Sequence, residues 1–201
     1  MFTQNISFKN FLIKKKKLVV KKNLNLILNE KNQVISSLSK SYKDSFNKKN
    51  TKYFNKKFDY RIIGMGGSTL GAQAIYDFLK KKIKKKFIFV DNLNALENKK
   101  EKKNLNNLII SKSGNTTETI VNANILIKKK DKNLFITEKK ESYLSLLAQK
   151  LKAEVVDHNN YIGGRYSVLS EVGMLPAELM GLNYKNFRQL NNLVKNKFFM
   201  K

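Results

Sequence analysis

The sequence is poor in several residue types that usually carry chemistry. Its 201 residues include no cysteine, no tryptophan, one proline and one histidine. The absence of cysteine excludes disulfides, thiolate metal sites and a cysteine nucleophile. No apolar run approaches the roughly 18 residues that a membrane helix needs, and charges interrupt the N-terminal stretch where a signal peptide would be apolar. We therefore expect a soluble, cytoplasmic protein that binds neither a metal nor a membrane.

Acidic residues are also scarce, since 15 of them face 41 basic residues and leave a net charge of +26. Such an excess can indicate a nucleic-acid partner. However, only three of the basic residues are arginine (Arg61, Arg165 and Arg188), and arginine is the residue that reads bases and phosphates with a planar fork. The lysines are spread over many runs, and Asn and Ile are abundant, as the codon bias of an AT-rich genome would produce. We predict a solvated basic surface and no specific nucleic-acid partner.

The pattern along the chain predicts three segments. Residues 1–57 form a basic helical N-terminal extension, with an amphipathic helix over 31–45 and then a polar linker with aromatic anchors over 43–57. Residues 58–182 form the main domain. Residues 183–201 form a C-terminal helical tail.

The main domain alternates short apolar runs with helical patterns. Such alternation predicts βαβ units, a parallel sheet and helices on both faces. The fold class is therefore α/β, with a doubly wound, five-stranded parallel sheet. We expect Pro176 to begin or break a helix and Gly181 to end one. The predicted strands lie within 61–66, 86–92, 107–113, 133–139 and 153–158; the helices between them lie within 69–82, 93–101, 115–129 and 142–151.

The most informative stretch is LIISKSGNTTET at 108–119, where an apolar run gives way to a polar turn and a helix. We call residues 111–119 the second turn, because another unusual turn comes earlier in the chain. Unpaired amides and the positive end of the macrodipole make a helix N-terminus favourable for anions, and hydroxyl groups add donors. The chemistry fits a phosphate monoester. The alternative is an ordinary N-cap, which also favours Ser, Thr or Asn.

Two other turns follow predicted strands and are unusual. In the first turn, residues 64–71, glycines allow close approach to a ligand, and Ser68 and Thr69 open the next helix. This turn lacks the lysine of a Walker A loop, and Thr69 replaces the third glycine of the dinucleotide fingerprint. A nucleotide site that uses Asp91, or a simple tight turn, remain as alternatives.

The third turn, residues 160–167, places paired glycines before Arg165. Because lysine dominates this chain, a retained arginine indicates that its planar fork is needed, either at a ligand or in a structural salt bridge. His158, just before this turn, is either a general acid or base or a structural residue. Glu118, in the first turn of its helix, favours the dipole there and also faces the presumed ligand.

Together the motifs IIGMGGSTLGAQAI, LIISKSGNTTETI and YIGGRYSVLSEVGMLPAEL resemble the glucose-6-phosphate isomerase family, which is built on sugar-isomerase domains. The resemblance covers about residues 60–182 in the family's order and spacing, and the GGRYS segment is its most specific part. One departure is Glu171, where the family signature usually has a small residue. The first 50 residues show no resemblance.

The resemblance implies a cofactor-free interconversion of glucose 6-phosphate and fructose 6-phosphate, a step of glycolysis and gluconeogenesis. It implies that Arg165 is catalytic and stabilises the enediolate, an electrostatic task. Gly67 and Ser68 would line the sugar site, and Glu118 and Thr119 would border it. The phosphate would be held by four residues: Ser111, Lys112, Ser113 and Thr116.

The family also has a second sugar-isomerase domain, which supplies the glutamate that moves the proton, a histidine and a lysine. Neither His158 nor Glu171 matches these positions. We expect the chain to be the front half of an isomerase, as a fragment, a truncated product or one piece of a split enzyme. It would bind sugar phosphate without appreciable turnover and act with a complementing second domain or as a homodimer. The alternative is a non-catalytic phosphosugar-binding or regulatory sugar-isomerase domain.

Overall fold

A computed structural model describes residues 18–30, 32–54, 58–93 and 104–188. Five parallel strands form one sheet in the order β2-β1-β3-β4-β5, which confirms the predicted fold class. The strand bounds are β1 Tyr60–Gly64, β2 Phe87–Val90, β3 Asn106–Ile110, β4 Lys132–Thr137 and β5 Glu154–Asp157.

The central strands are buried on both faces, as their nearly continuous apolar sequence predicts. Ile62 points into one core and the next residue, Ile63, into the other. Leu108 and Ile109 in β3 divide in the same way. The sheet therefore separates two hydrophobic cores, each of which needs a helical cover.

Four helices supply these covers, with bounds α4 Leu70–Leu79, α5 Thr117–Leu126, α6 Tyr143–Leu151 and α7 Glu171–Leu179. Helices α4 and α7 contribute buried side chains to the core around Ile62, while α5 and α6 contribute to the core around Ile63. Helices thus lie on both faces, which confirms the doubly wound arrangement. The helix predicted over 93–101 lies almost wholly outside the described residues.

The described part of the N-terminal segment contains three helices, α1 Leu18–Asn29, α2 Gln33–Ser37 and α3 Lys48–Lys52. The prediction of a helix over 31–45 is wrong beyond Ser37, because a serine-rich stretch bonds its hydroxyls to nearby carbonyls and turns the chain. The aromatic anchoring is confirmed, since Phe46 and Phe54 lie buried in the core of α4 and α7. The division of the chain near residues 57 and 182 stays a prediction.

Pro176 lies inside α7 rather than at its start, so the prediction that it begins or breaks a helix is wrong. Ser170 is the N-cap of this helix, and its side chain accepts a hydrogen bond from the Val172 amide. The residues from Glu171 to Ala177 are buried. Their packing stabilises a continuous helix and outweighs the one backbone hydrogen bond that the proline cannot make. Gly181 follows the helix with φ +80°, as predicted for a C-terminal glycine. Of the predicted tail, residues 189–201 lie outside the described residues.

Candidate functional site

The first and second turns lie side by side at the carboxyl end of the sheet. They follow β1 and β3, which are neighbours, and the last residues of these strands, Gly64 and Ile110, pair in register. Between these two strands the order of the sheet reverses direction, since β2 lies on one side and β4 and β5 on the other. Such a switch point opens a crevice where α/β sheets bind ligands.

Hydroxyl groups in the second turn are arranged as donors. Ser111 Oγ lies 3.0 Å from Thr116 Oγ1 and accepts a hydrogen bond from the Gly114 amide at 3.2 Å. Ser113 Oγ accepts from the Asn115 amide at 3.2 Å. Ser113 Oγ donates to no acceptor among the described residues, and since each hydroxyl has one proton, the Ser111–Thr116 hydrogen bond uses one of that pair's two protons and leaves the other unused. Both protons are available to an anion.

The start of α5 adds backbone donors to these hydroxyls. Thr116 is the N-cap residue, yet its side chain accepts no hydrogen bond from the first helical turn. The first-turn amides of this ten-residue helix therefore stay available at the positive end of its dipole. The alternative of an ordinary side-chain N-cap is not what the structure shows, and an anion site fits this end of the helix better.

Lys112 links the second turn to the third. Its Nζ donates to the carbonyl of Asn160 at 2.6 Å and lies 3.6 Å from Glu138 Oε1. Glu138 also pairs with Lys140 at 2.6 Å, and hydrogen bonding from that lysine is the largest cause of the lowered pKa of Glu138. Lys112, a predicted phosphate ligand, is therefore already held by Asn160 at the start of the third turn and by Glu138.

Glu118 and Thr119 occupy different environments. Glu118 is half-buried in the first turn of α5, where a carboxylate favours the dipole. Thr119 is buried, and its hydroxyl has no hydrogen-bond partner among the residues that the structure describes. Their predicted place at the border of the sugar site stays a prediction.

The first and third turns are in direct contact. A Cβ placed on Gly67 would lie 2.1 Å from the carbonyl oxygen of Gly164, so only glycine allows this approach. Ser167 Oγ bonds the carbonyls of Gly67 at 3.2 Å and Gly164 at 2.7 Å. The chain from β5 thus crosses the carboxyl ends of the neighbouring strands and brings the GGRYS segment to the turn that carries Ser68.

The three arginines divide into two roles. Arg61 and Arg188 are buried and donate to the carbonyls of Leu126 and Leu169. Arg165 is exposed and has no ion pair or hydrogen bond with any described residue. A structural salt bridge with a described residue therefore does not account for Arg165, whose exposed side chain is accessible to a ligand.

His158 and Glu171 form a buried pair behind the third turn, 1% and 0% exposed, with His158 Nδ1 3.8 Å from Glu171 Oε1. Burial is the main cause of the lowered pKa of His158, although Glu171 and the Asn159 carbonyl oppose it. This pair holds the base of the third turn and does not open to the crevice. Sequence reasoning missed the role of Glu171 because the residues that it binds are distant in the chain.

The described ranges contain no group of three or more potential metal ligands. Within the same ranges, no helix combines the length and apolarity that spanning a membrane requires.

Comparison with known proteins now gives this geometry a class. Solved structures share the fold: a hypothetical protein of Thermus thermophilus matches with a TM-score of 0.68 at 19% identity, over 91% of this chain and 49% of that one. The Vibrio vulnificus NanR protein, solved with ManNAc-6P, matches with a TM-score of 0.54 at 20% identity, over 90% and 74%.

The sequence places the chain more closely. The phosphoglucose isomerase family model matches residues 15–198, and the chain belongs to this family. The match extends beyond the resemblance at 60–182 on both sides. The glucose-6-phosphate isomerase of Acholeplasma laidlawii is 37% identical over 143 residues, which are 61% of this chain and 33% of the relative. The chain thus spans about a third of the length of the curated relatives that it matches.

Proposed function

We propose that this chain binds glucose 6-phosphate and fructose 6-phosphate and contributes Arg165 to their interconversion. The observation that carries the proposal is the second turn, where free hydroxyl protons adjoin an uncapped helix N-terminus at the switch point. This arrangement suits a phosphate dianion. Family membership supports the reaction, and the name of the relatives supplies the substrates.

The phosphate, held by Ser111, Ser113, Thr116 and the first amides of α5, would leave the sugar to extend toward the first turn. There the docked third turn presents Arg165. Removal of a proton from C2 of the aldose or C1 of the ketose forms an enediolate. The guanidinium of Arg165 beside it would stabilise the developing negative charge.

The family resemblance assigns the proton transfer to a glutamate of a second sugar-isomerase domain. His158 and Glu171 are buried beside one another, and Glu171 also binds the Asn159 amide, so neither side chain reaches a sugar in the crevice. A missing general base costs a factor on the order of 10²–10⁴ in rate. We therefore expect binding without appreciable turnover until a second domain, or a second copy of the chain, supplies the base.

Calorimetric titration tests the binding step. Fructose 6-phosphate and inorganic phosphate should both bind, and fructose should not, because it lacks the anion that the second turn recognises. Failure of fructose 6-phosphate to bind would contradict the proposal.

Complementation tests the catalytic step. The chain is mixed with the part of the Acholeplasma laidlawii isomerase that lies beyond the matched region, and isomerisation is followed in a coupled assay. Restored activity supports the enzyme. Binding without activity in any mixture favours the non-catalytic phosphosugar-binding domain, and rapid turnover by the chain alone would contradict the assignment of the base.

A further inference from the structure

Glu171 is a buried carboxylate at the first position of α7. Its two oxygens bind groups from two different parts of the chain. Oε1 accepts a hydrogen bond from the Asn159 amide at 2.8 Å, and Oε2 accepts from the Tyr42 hydroxyl at 3.1 Å.

On one side, Glu171 fixes the start of the segment that leads to Arg165. Asn159, whose amide it binds, accepts from the Tyr161 amide through its side chain at 3.1 Å and from the Ile162 amide through its carbonyl at 3.1 Å. Ile162 is fully buried. The position of Asn159 therefore sets the course of the chain up to the paired glycines before Arg165.

On the other side, Glu171 reaches the N-terminal segment. The ring of Tyr42 lies 4.9 Å from the guanidinium carbon of Arg188. Arg188 in turn donates to Asp44 at 2.8 Å and to the Leu169 carbonyl at 2.9 Å. Residues 42–44 are thus tied to both sides of the GGRYS segment, through Glu171 to Asn159 before it and through Arg188 to Leu169 after it.

We propose that Glu171 is a positioning residue that couples residues 42–44 to the third turn and thereby holds Arg165 beside the first turn. The ordering of the third turn depends only on the contacts above. Its consequence for sugar binding rests on the proposed function.

Amide hydrogen exchange tests the ordering without any ligand. Tyr42→Phe removes one hydrogen bond and should speed exchange over residues 159–166 by about threefold to tenfold, whereas Glu171→Ala removes both and should exceed tenfold. Glu171→Gln keeps an acceptor for the Asn159 amide and should stay within about threefold of the wild type. Tyr184→Phe, beside the same arginine, and Glu178→Gln, in the same helix, are the matched controls.

Unchanged exchange over 159–166 in folded Glu171→Ala and Tyr42→Phe would overturn the proposal. An equal rise over β3 and β4 would also overturn it, because that pattern reports general destabilisation. Failure of Glu171→Gln to rescue the third turn would show that hydrogen-bonded positioning is not the role of this carboxylate.

Calorimetric titration tests whether the coupling through Glu171 affects sugar binding. Glu171→Ala should weaken fructose 6-phosphate by about fivefold or more and leave inorganic phosphate within about twofold, because the second turn makes its own hydrogen bonds. Equal weakening of both ligands would overturn the link. If the wild type binds no fructose 6-phosphate, the proposed function fails, while the exchange experiment still decides the coupling.

Discussion

The second and third turns lie at the same edge of the sheet but are held in opposite ways. Hydroxyls of the second turn are arranged by hydrogen bonds that span two to five residues. The third turn depends on groups up to 100 residues away, among them the Gly67 carbonyl and the Lys112 ammonium. Its supporting carboxylate, Glu171, reaches 129 residues back to Tyr42.

This difference separates binding from positioning. A locally built phosphate site can persist when distant parts of the chain shift, because its donors and their partners move together. A remotely braced loop transmits any such shift to Arg165. Substitutions that remove remote braces should therefore affect the third turn first and leave the second turn able to bind an anion.

The largest loss of stability is expected when Arg188, which links Asp44 to the Leu169 carbonyl, is replaced. Its guanidinium is 2% exposed and pairs with Asp44, which is 6% exposed. Arg188→Met leaves this carboxylate buried without its partner and should lower the free energy of unfolding by about 3–5 kcal/mol. Urea unfolding measures this change in the free energy of unfolding.

Arg165→Met is the matched control, since that arginine is exposed and should change stability by no more than about 0.5 kcal/mol. Similar losses in the two variants would show that the two arginines do not differ in structural role.

A smaller effect is expected at the contact between the first and third turns. Gly67→Ala places a methyl group 2.1 Å from the Gly164 carbonyl oxygen, where backbone must move. Overpacking of this kind costs about 1–3 kcal/mol, and separation of the turns should weaken fructose 6-phosphate more than inorganic phosphate. Thermal unfolding and titration measure the two effects.

Gly164→Ala provides the comparison from the other side of the same contact, because nothing lies within 4 Å of its added methyl group. It should be neutral, or stabilising by up to about 1 kcal/mol. Equal destabilisation by both substitutions would place the cost in the loss of glycine rather than in the contact.

The same contrast explains how far the sequence predicts this molecule. The apolar runs predict all five strands, and the signal is clearest in the central ones, because burial on both faces leaves a continuous apolar run such as Leu108–Ile110. The polar residues around Gly114 predict the turn between β3 and α5, because strand, turn and helix follow each other directly, while the anion site there stays a prediction. Both features are encoded over a dozen residues or fewer.

Long-range partners leave no such signal. The hydrogen bond between Tyr42 and Glu171 joins side chains 129 residues apart, and no local pattern marks either residue as the partner of the other. Burial likewise outweighs a local rule at Pro176, which lies inside a helix that its sequence neighbours would not predict. Tertiary packing decides these positions.

At the second turn itself, Ser113→Ala should weaken inorganic phosphate by about tenfold, or roughly 1.4 kcal/mol, since one charge-assisted hydrogen bond is lost. Stability should hardly change, because the wild-type hydroxyl only accepts from the Asn115 amide within the turn. Calorimetric titration measures the affinity, and Ser39→Ala, far along the chain, is the control. Unchanged affinity would place the phosphate elsewhere.

The smallest effect is expected from protons at the base of the third turn. Burial lowers the pKa of His158 from its ordinary value of 6.5, while Glu171 and Glu138 oppose the shift and Lys112 adds to it. Below pH 6.5 the unfolded chain therefore binds more protons than the folded one, so stability is fully present above that pH and is lost as the pH falls. The loss between pH 7.5 and 5.5 should be roughly 1 kcal/mol.

His158→Gln should remove this slope, because glutamine does not titrate. Urea unfolding at several pH values measures it, and the range stays above the window of Glu138, whose pKa lies below its ordinary value of 4.5. A slope that persists in His158→Gln would assign the proton to another group. A slope that disappears, together with slower exchange over residues 159–166 at pH 7.5 than at 5.5 after correction for intrinsic rates, would show that protonation of His158 loosens the third turn.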